Sequence, residues 1–70
     1  MKYLIILEPT ATGYSAYSPD VLGCVATGKT REETRANMRE ALAFHLEGMR
    51  AEGLELPEAS TEASFVEVAA

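Results

Sequence analysis

The segment from Gly13 to Thr34 constrains the fold more than any other part of the chain, because two short strand patterns lead directly into the start of a long helix. Tyr14–Ser18 alternates weakly between apolar and polar residues and predicts the return arm of a hairpin. Gly23–Thr27 consists of small and β-branched residues and predicts a further strand. Between them lies Pro19, which cannot donate to a β-ladder, so we expect the pairing to stop near it.

The same segment contains a formal match to the phosphate-loop pattern G-x-x-x-x-G-K-[ST], from Gly23 to Thr30. A phosphate loop needs a buried strand before its first glycine and a backbone wrapped around phosphates between the glycines. Here the strand pattern lies between the glycines and a loop pattern precedes them. The one aspartate that could hold Mg²⁺, Asp20, lies in that predicted loop. We therefore expect Gly28 to allow a tight strand-to-helix turn, with no nucleotide or other cofactor bound.

The strongest helix pattern runs from Arg31 to Glu52. Thr30 followed three residues later by Glu33 is a capping-box pattern, and Gly53 is placed to end the helix. Residues at helical spacing form a mostly apolar face that must cover a sheet. Those residues are Thr34, Met38, Ala41, Leu42, His45, Leu46 and Met49.

Two further strands are predicted near the ends of the chain. Lys2–Glu8 is apolar on both pleat faces, which is typical of a strand inside a sheet. Ala63–Ala69 has Val66 and Val68 on one face and Phe65 on the other. The element order β-β-β-α-β predicts one α+β domain over residues 1–70, in two layers, with one helix packed on one face of the sheet. A right-handed crossover through the helix predicts the sheet order 3-2-1-4, with the fourth strand parallel to the first.

Composition argues against several classes of function. Cys24 and His45 are the only cysteine and histidine, so the chain offers neither a disulfide nor a metal-binding cluster, and we expect both to be packed residues. The strands carry carboxylates only at Glu8 and Glu67, too few for a two-metal nuclease. We therefore expect no catalytic residues and no metal. No apolar run approaches the roughly 20 residues of a membrane span, and no secretory signal is recognised, so we expect a cytoplasmic protein.

The net charge of −5 favours a basic protein as the partner, because nucleic acid repels an acidic chain. We accordingly expect no direct binding of nucleic acid. A chain this short buries only about 60% of its unfolded surface. Its helix would be about 33 Å long, so the part from Phe44 to Met49 is expected to extend past the sheet. Both features predict a homo-oligomer, either a dimer or a tetramer.

The first set of candidate contact residues is Arg31, Arg35 and Arg39, which repeat every four residues on the helix. Like charges at this spacing repel one another, and cations near a helix N-terminus oppose the macrodipole. Helix stability therefore does not explain them. They are either a solvated face or a contact with an anion or a partner.

The second set is Phe44, Gly48 and Ala51, on another flank of the helix. Glycine inside a helix costs about 1 kcal/mol relative to alanine. Small residues around one aromatic side chain allow another backbone to approach closely. This flank is a candidate contact with a partner or a second copy, and the alternative is an ordinary surface with one scattered phenylalanine.

The ordered series of short motifs resembles the HicB-like antitoxin family of bacterial toxin–antitoxin systems. The residues that carry the resemblance are Gly13-Tyr14-Ser15-Ala16, Ser18-Pro19-Asp20-Val21-Leu22-Gly23-Cys24, Thr27-Gly28-Lys29-Thr30, Glu32-Glu33, Asn37 and Leu56-Pro57. The resemblance covers most of the chain and implies a partial RNase H-like fold without the nuclease carboxylates. It also implies a non-enzymatic protein that binds a small basic RNA-cleaving HicA-like toxin and masks its active site. Many members carry an added C-terminal DNA-binding module; this chain resembles a short form without it, and we expect no autonomous DNA binding.

Three functional hypotheses follow. The leading one is a non-catalytic, homo-oligomeric antitoxin or antitoxin-derived protein-binding module. The second is a stand-alone small-ligand or regulatory module with no toxin partner, suggested by the cluster of Lys29, Arg31 and Arg35. The third is an enzyme, either nucleotide-dependent or a nuclease.

Overall fold

The computed structural model describes residues 1–69 and contains three antiparallel strands followed by one helix. The strands are β1 (Ile6–Pro9), β2 (Tyr14–Ser18) and β3 (Val21–Gly28), and the helix is α1 (Arg31–Ala51). The sheet order is β1-β2-β3, and α1 lies against one face of the sheet, mainly over β3. The predicted α+β class, with one helix on one face of a sheet, is confirmed.

The β2–β3 hairpin is tighter than the sequence predicts. Ser18 pairs with Val21, so only Pro19–Asp20 form the turn. The strand then continues through a bulge at Gly23, whose φ of 81° lies in the left-handed region that favours glycine. The prediction that the chain forms a loop up to Gly23 was therefore wrong for Val21 and Leu22, because the bulge keeps both residues within the strand.

The first strand is shorter than predicted and shifted toward the C-terminus. The ladder with β2 begins at Ile6, which pairs with Tyr17, and Lys2–Ile5 form no ladder pairs and remain outside β1. The side chains of Tyr3, Ile5 and Leu7 nevertheless pack against the core. The segment before β1 therefore keeps the predicted alternation of side chains without forming a ladder.

The predicted fourth strand, Ala63–Ala69, is not formed, and residues 54–69 contain neither helix nor strand. Phe65, Val66 and Val68 have exposed fractions of 101%, 84% and 77%. The sheet order 3-2-1-4 is therefore not confirmed: the first three positions agree, but within the described chain no strand lies on the outer side of β1, away from β2. A segment with a strand pattern forms a strand only when it pairs with a neighbouring strand, and residues 63–69 pair with none.

The N-terminus of α1 is capped as predicted. The Glu33 backbone N donates to Thr30 Oγ1 at 3.1 Å, and Thr30 itself has the extended backbone of an N-cap residue. The Glu33 carboxylate accepts from the Lys29 backbone N at 2.8 Å, one residue earlier than in the usual capping box.

The C-terminus of α1 ends in a Schellman motif. Gly53 has a φ of 74° and donates to Arg50 O at 3.0 Å, while Leu54 donates to Met49 O at 2.9 Å. The helix ends at Ala51, one residue before the predicted boundary.

The core is small and lies under the first half of α1. Its buried apolar residues are Ala16, Val21, Cys24 and Met38. Thr34 and Met38 are the buried residues of the helix, and the apolar residues of its second half are half-buried at best. Several large apolar side chains of the described chain are consequently exposed, among them Leu22, Val25 and Phe44.

Candidate protein-binding surfaces

The step from β3 into α1 has the geometry of a helix cap. Residues 25–27, which lie between the glycines of the phosphate-loop pattern, pair with β2. A Cβ on Gly28 would lie 2.6 Å from Thr34 Oγ1 and 2.7 Å from the Thr34 backbone N, so glycine allows helix and strand to approach closely. Thr34 Oγ1 in turn donates to Thr30 O at 2.7 Å. The pattern therefore marks a strand-to-helix junction and not a phosphate loop, as predicted.

The arginine flank, defined as Arg31, Arg35 and Arg39, runs along a groove between α1 and the N-terminal segment. The Arg31 guanidinium lies 5.7 Å from the centroid of the Tyr14 ring, which is a cation–π distance. The β1 groove, as we name it, is lined by Tyr3, Ile5, Leu42 and Leu46 and bordered by Arg35 and Arg39. The structure thus places the predicted arginines along the edge of the sheet where β1 has no outer neighbour.

The Phe44 flank, defined as Phe44, Gly48 and Ala51, lies on the other side of the helix. The Phe44 side chain is 83% exposed, and a Cβ on Gly48 would meet no atom within 4 Å. Asn37 on the same flank donates from Nδ2 to Thr27 O at 2.8 Å, which shows that this flank faces the β3 side. The structure therefore does not bring the two predicted sets together, because they face opposite edges of the sheet.

The face of the sheet opposite α1 is an apolar surface that the sequence analysis missed. Ile6 pairs with Tyr17, and Tyr17 pairs with Val25, so the three side chains form one row across the sheet. Val25 is 67% exposed, and Leu22 is exposed at the end of the same strand. The signal was present in the apolar character of both faces of the first predicted strand, which we interpreted as a strand inside the sheet. An uncovered sheet face explains it equally well.

Two hydrogen-bonded contacts hold the chain that follows α1 against one end of the sheet. Tyr3 Oη donates to Pro57 O at 2.6 Å. The Thr61 backbone N donates to Asp20 Oδ2 at 3.1 Å, and Thr61 Oγ1 donates to Asp20 Oδ1 at 2.6 Å. The chain therefore crosses from the N-terminal segment to the β2–β3 turn, and residues 62–69 continue beyond that turn with their side chains exposed.

The cysteine, the histidine and the carboxylates are the side chains of the described residues that could hold a metal ion. Cys24 is buried, and its burial raises the pKa of the thiol above the ordinary value of 9.0. His45 is half-buried on α1. Within residues 1–69, no three or more histidine, cysteine, aspartate or glutamate side chains are grouped so that they could hold a metal ion. In the same residues, no helix is both long enough and apolar enough to cross a membrane.

Comparison with known proteins assigns the family. The family model described as the HicB-like antitoxin of bacterial toxin–antitoxin systems matches residues 3–69. The chain belongs to the HicB-like antitoxin family. The resemblance stated from the sequence motifs is therefore confirmed, and the match extends from the N-terminal segment through the exposed residues after α1.

Related proteins agree with this assignment to the HicB-like family. An uncharacterized 14.9 kDa protein of Haemophilus phage HP1 is 38% identical over 66 residues, which cover 94% of this chain and 50% of the phage protein. The chain thus spans half the length of that curated relative. A UPF0150 protein of Thermoplasma acidophilum is 30% identical over 63 residues, covering 89% of this chain and 91% of that protein. A chain of the solved HicA3 and HicB3 toxin–antitoxin complex is 35% identical, with a TM-score of 0.73 over 86% of this chain and 70% of that chain.

Proposed function

We propose that this HicB-like chain is a non-catalytic antitoxin that binds a small, basic, RNA-cleaving HicA-like toxin and masks its active site. The observation that carries the proposal is the match to a chain of the HicA3 and HicB3 complex, which covers 86% of this chain with a TM-score of 0.73. The proposal includes a cytoplasmic location and no direct contact with nucleic acid. A partial RNase H-like fold remains an expectation from the resemblance.

Charge supports a basic protein as the partner. The chain has a net charge of −5, which would accelerate its encounter with a basic toxin through long-range attraction. The arginine flank would be repelled by such a toxin. The toxin should therefore bind a surface on which carboxylates, and not arginines, surround the apolar contacts.

The Phe44 flank meets that requirement. Glu40 and Glu47 lie one helical turn before and after Phe44, and both are exposed. Gly48 leaves open space beside the aromatic ring. An exposed aromatic side chain between two carboxylates can serve as an apolar anchor with an acidic rim, the arrangement in which a few central residues dominate binding. We therefore place the toxin contact on the Phe44 flank.

The test is binding and neutralisation of any small basic protein that is encoded beside this chain. The wild-type chain should co-purify with that protein and block its cleavage of RNA. Phe44→Ala should weaken binding by roughly 30-fold or more, the usual loss at a central aromatic contact. Val25→Ala is the matched control, since it truncates an exposed apolar side chain on the face of the sheet opposite α1 and should change binding by less than about 3-fold.

The outcomes test separately whether the chain is an antitoxin and whether the Phe44 flank is the surface that contacts the toxin. Absence of any toxin binding or protection by the wild-type chain would remove the antitoxin role. Wild-type binding that survives Phe44→Ala but is lost with Val25→Ala would keep the role and move the contact to the open face of the sheet.

The second candidate function is a stand-alone homo-oligomeric small-ligand or regulatory module without a toxin. It is favoured by the β1 groove, whose apolar lining and two bordering arginines could accommodate a small anionic ligand. Two results together would support this alternative. The purified chain would bind no protein encoded beside it, and the NMR signals of the residues that line the β1 groove would shift when a small carboxylate ligand is added.

A further inference from the structure

We propose that the C-terminal segment, Ala63–Ala69, of one copy of this chain fills the β1 groove of a second copy as a fourth strand, and that the exchange is reciprocal. The proposal concerns self-association and is independent of the toxin. It gives the predicted homo-oligomer a specific interface, and it restores the predicted sheet order 3-2-1-4 between two chains instead of within one.

The acceptor is the open edge of the sheet at β1. Because β1 is the terminal strand of the order β1-β2-β3, one row of its backbone N–H and C=O groups faces away from the sheet. The preceding segment keeps a strand-like alternation, with Tyr3 and Ile5 directed toward the core. A new strand alongside would give Lys2–Ile5 the ladder that they lack, and it would cover the apolar lining of the β1 groove.

The donor is the C-terminal segment, which has a strand pattern and no intramolecular cover. Phe65, Val66 and Val68 have exposed fractions between 77% and 101%. Valine and phenylalanine favour pleated, half-buried environments. When the segment is paired, Val66 and Val68 would point to one face of the enlarged sheet and Phe65 to the other.

The contacts after α1 explain why the strand would be exchanged and not folded back. Pro57 is held at Tyr3, and Thr61 is held at Asp20 in the β2–β3 turn. These contacts hold the chain at the N-terminal segment and then at the β2–β3 turn, before the C-terminal segment begins. Beyond Thr61 the donor pairs with no strand of its own chain and its side chains are exposed, which favours the groove of a neighbour.

Charge and symmetry identify the occupant as a second copy. Glu62 and Glu67 accompany the apolar residues of the segment, and Arg35 and Arg39 border the groove. A basic toxin would not complement those arginines, whereas this acidic segment does. Since donor and acceptor lie on the same chain, two copies related by a two-fold axis satisfy both contacts at once, as in other exchanged dimers.

The test combines solution mass with isotope-filtered NMR on the full chain. Light scattering should give a dimer of twice 7.6 kDa at micromolar concentration. The double variant Val66→Asp/Val68→Asp should weaken the dimer by roughly 100-fold or more, since each copy loses two buried side chains. Its circular dichroism should retain the α1 signal, because both side chains are exposed within the single chain.

The matched control is Phe44→Asp, which introduces a charge at an equally exposed apolar position outside the proposed interface. It should leave the dimer intact. In a mixture of labelled and unlabelled protein, the methyl groups of Val66 and Val68 should show intermolecular contacts with Ile5 and Leu42.

Three results would overturn the proposal. The first is a wild-type monomer at 100-fold above micromolar concentration. The second is a dimer that persists in the double aspartate variant. The third is a set of methyl contacts from Val66 and Val68 that arise only within one chain, which would show that the segment folds back onto its own sheet.

Discussion

The approach of β3 to α1 predicts that alanine has opposite effects at two glycines of this chain. At Gly28, a Cβ would lie 2.6 Å from Thr34 Oγ1, 2.7 Å from the Thr34 backbone N and 3.0 Å from its Cα. The Thr34 hydroxyl could rotate away, but the backbone atoms belong to the first turn of α1 and cannot move without shifting the helix. At Gly48, no atom lies within 4 Å of the added Cβ.

The two substitutions are expected to change the free energy of unfolding in opposite directions. Inserting a methyl group into the closely packed junction costs about 1–3 kcal/mol. For a domain of this size, each kcal/mol lowers the Tm by about 4–8 °C, so Gly28→Ala should lower it by about 10 °C. Gly48→Ala removes the entropic cost of glycine in a helix interior and should raise the free energy of unfolding by about 1 kcal/mol.

The assay is urea unfolding followed by far-ultraviolet circular dichroism, with all variants at one protein concentration because self-association changes the apparent stability. Gly48→Ala is the control for replacing a glycine by alanine at a position where the added methyl group meets no other atom. A Gly28→Ala variant within about 0.5 kcal/mol of the wild type would refute the steric argument. Equal shifts of the two variants in the same direction would refute it as well.

Three further predictions concern the helix ends and the buried thiol. Thr30→Ala should lower the free energy of unfolding by about 1 kcal/mol, since the Glu33 backbone N loses its acceptor, and an unchanged thermal midpoint would contradict this cap. Gly53→Ala should destabilise the chain by about 1–2 kcal/mol, because its φ of 74° is costly for any residue with a Cβ, and a neutral result in urea unfolding would argue against the Schellman motif. Burial raises the pKa of the Cys24 thiol in the folded chain above 9.0. The thiol therefore loses its proton at a lower pH in the unfolded chain than in the folded chain, and the free energy of unfolding should decrease as the pH rises above 9.0. The decrease should be smaller in Cys24→Ala, and rapid labelling of the native thiol with a thiol reagent at pH 7 would contradict its burial.

The predicted helix and the predicted hairpin arm were accurate because local interactions determine them. Thr30 and Glu33 place the helix start, and Gly53 supplies the left-handed residue at its end. Both signals act within a few residues. The same is true of β2, whose bounds Tyr14–Ser18 agree with the prediction.

Strand pairing was predicted less well, because a strand depends on a neighbour that the local sequence does not specify. Lys2–Ile5 have the pattern of a strand but form no ladder pairs with β2. Ala63–Ala69 has the pattern as well, yet Thr61 is hydrogen-bonded to Asp20, 41 residues earlier in the sequence, and the segment that follows this contact pairs with no strand. Hydrophobic periodicity does not reveal such a long-range hydrogen bond.

The candidate surfaces were identified residue by residue, but their arrangement was not. Helical periodicity separated the arginine flank from the Phe44 flank. It could not show that the arginine flank borders the β1 groove, or that the Phe44 flank faces the side of β3. The row of Ile6, Tyr17 and Val25 required the register of all three strands.

The sequence by itself therefore determined the family and the helix with both of its caps. It also determined that the glycine-rich segment before the helix forms a strand-to-helix junction. Each of these depends on residues close together in the chain, where backbone geometry and nearby hydrogen bonds decide the outcome. Only the tertiary structure decided which edge of the sheet stays open, which apolar residues remain uncovered, and where the C-terminal segment points. Those properties depend on the register of paired strands and on contacts between residues far apart in the sequence. No short segment of the sequence specifies the free energy of such contacts.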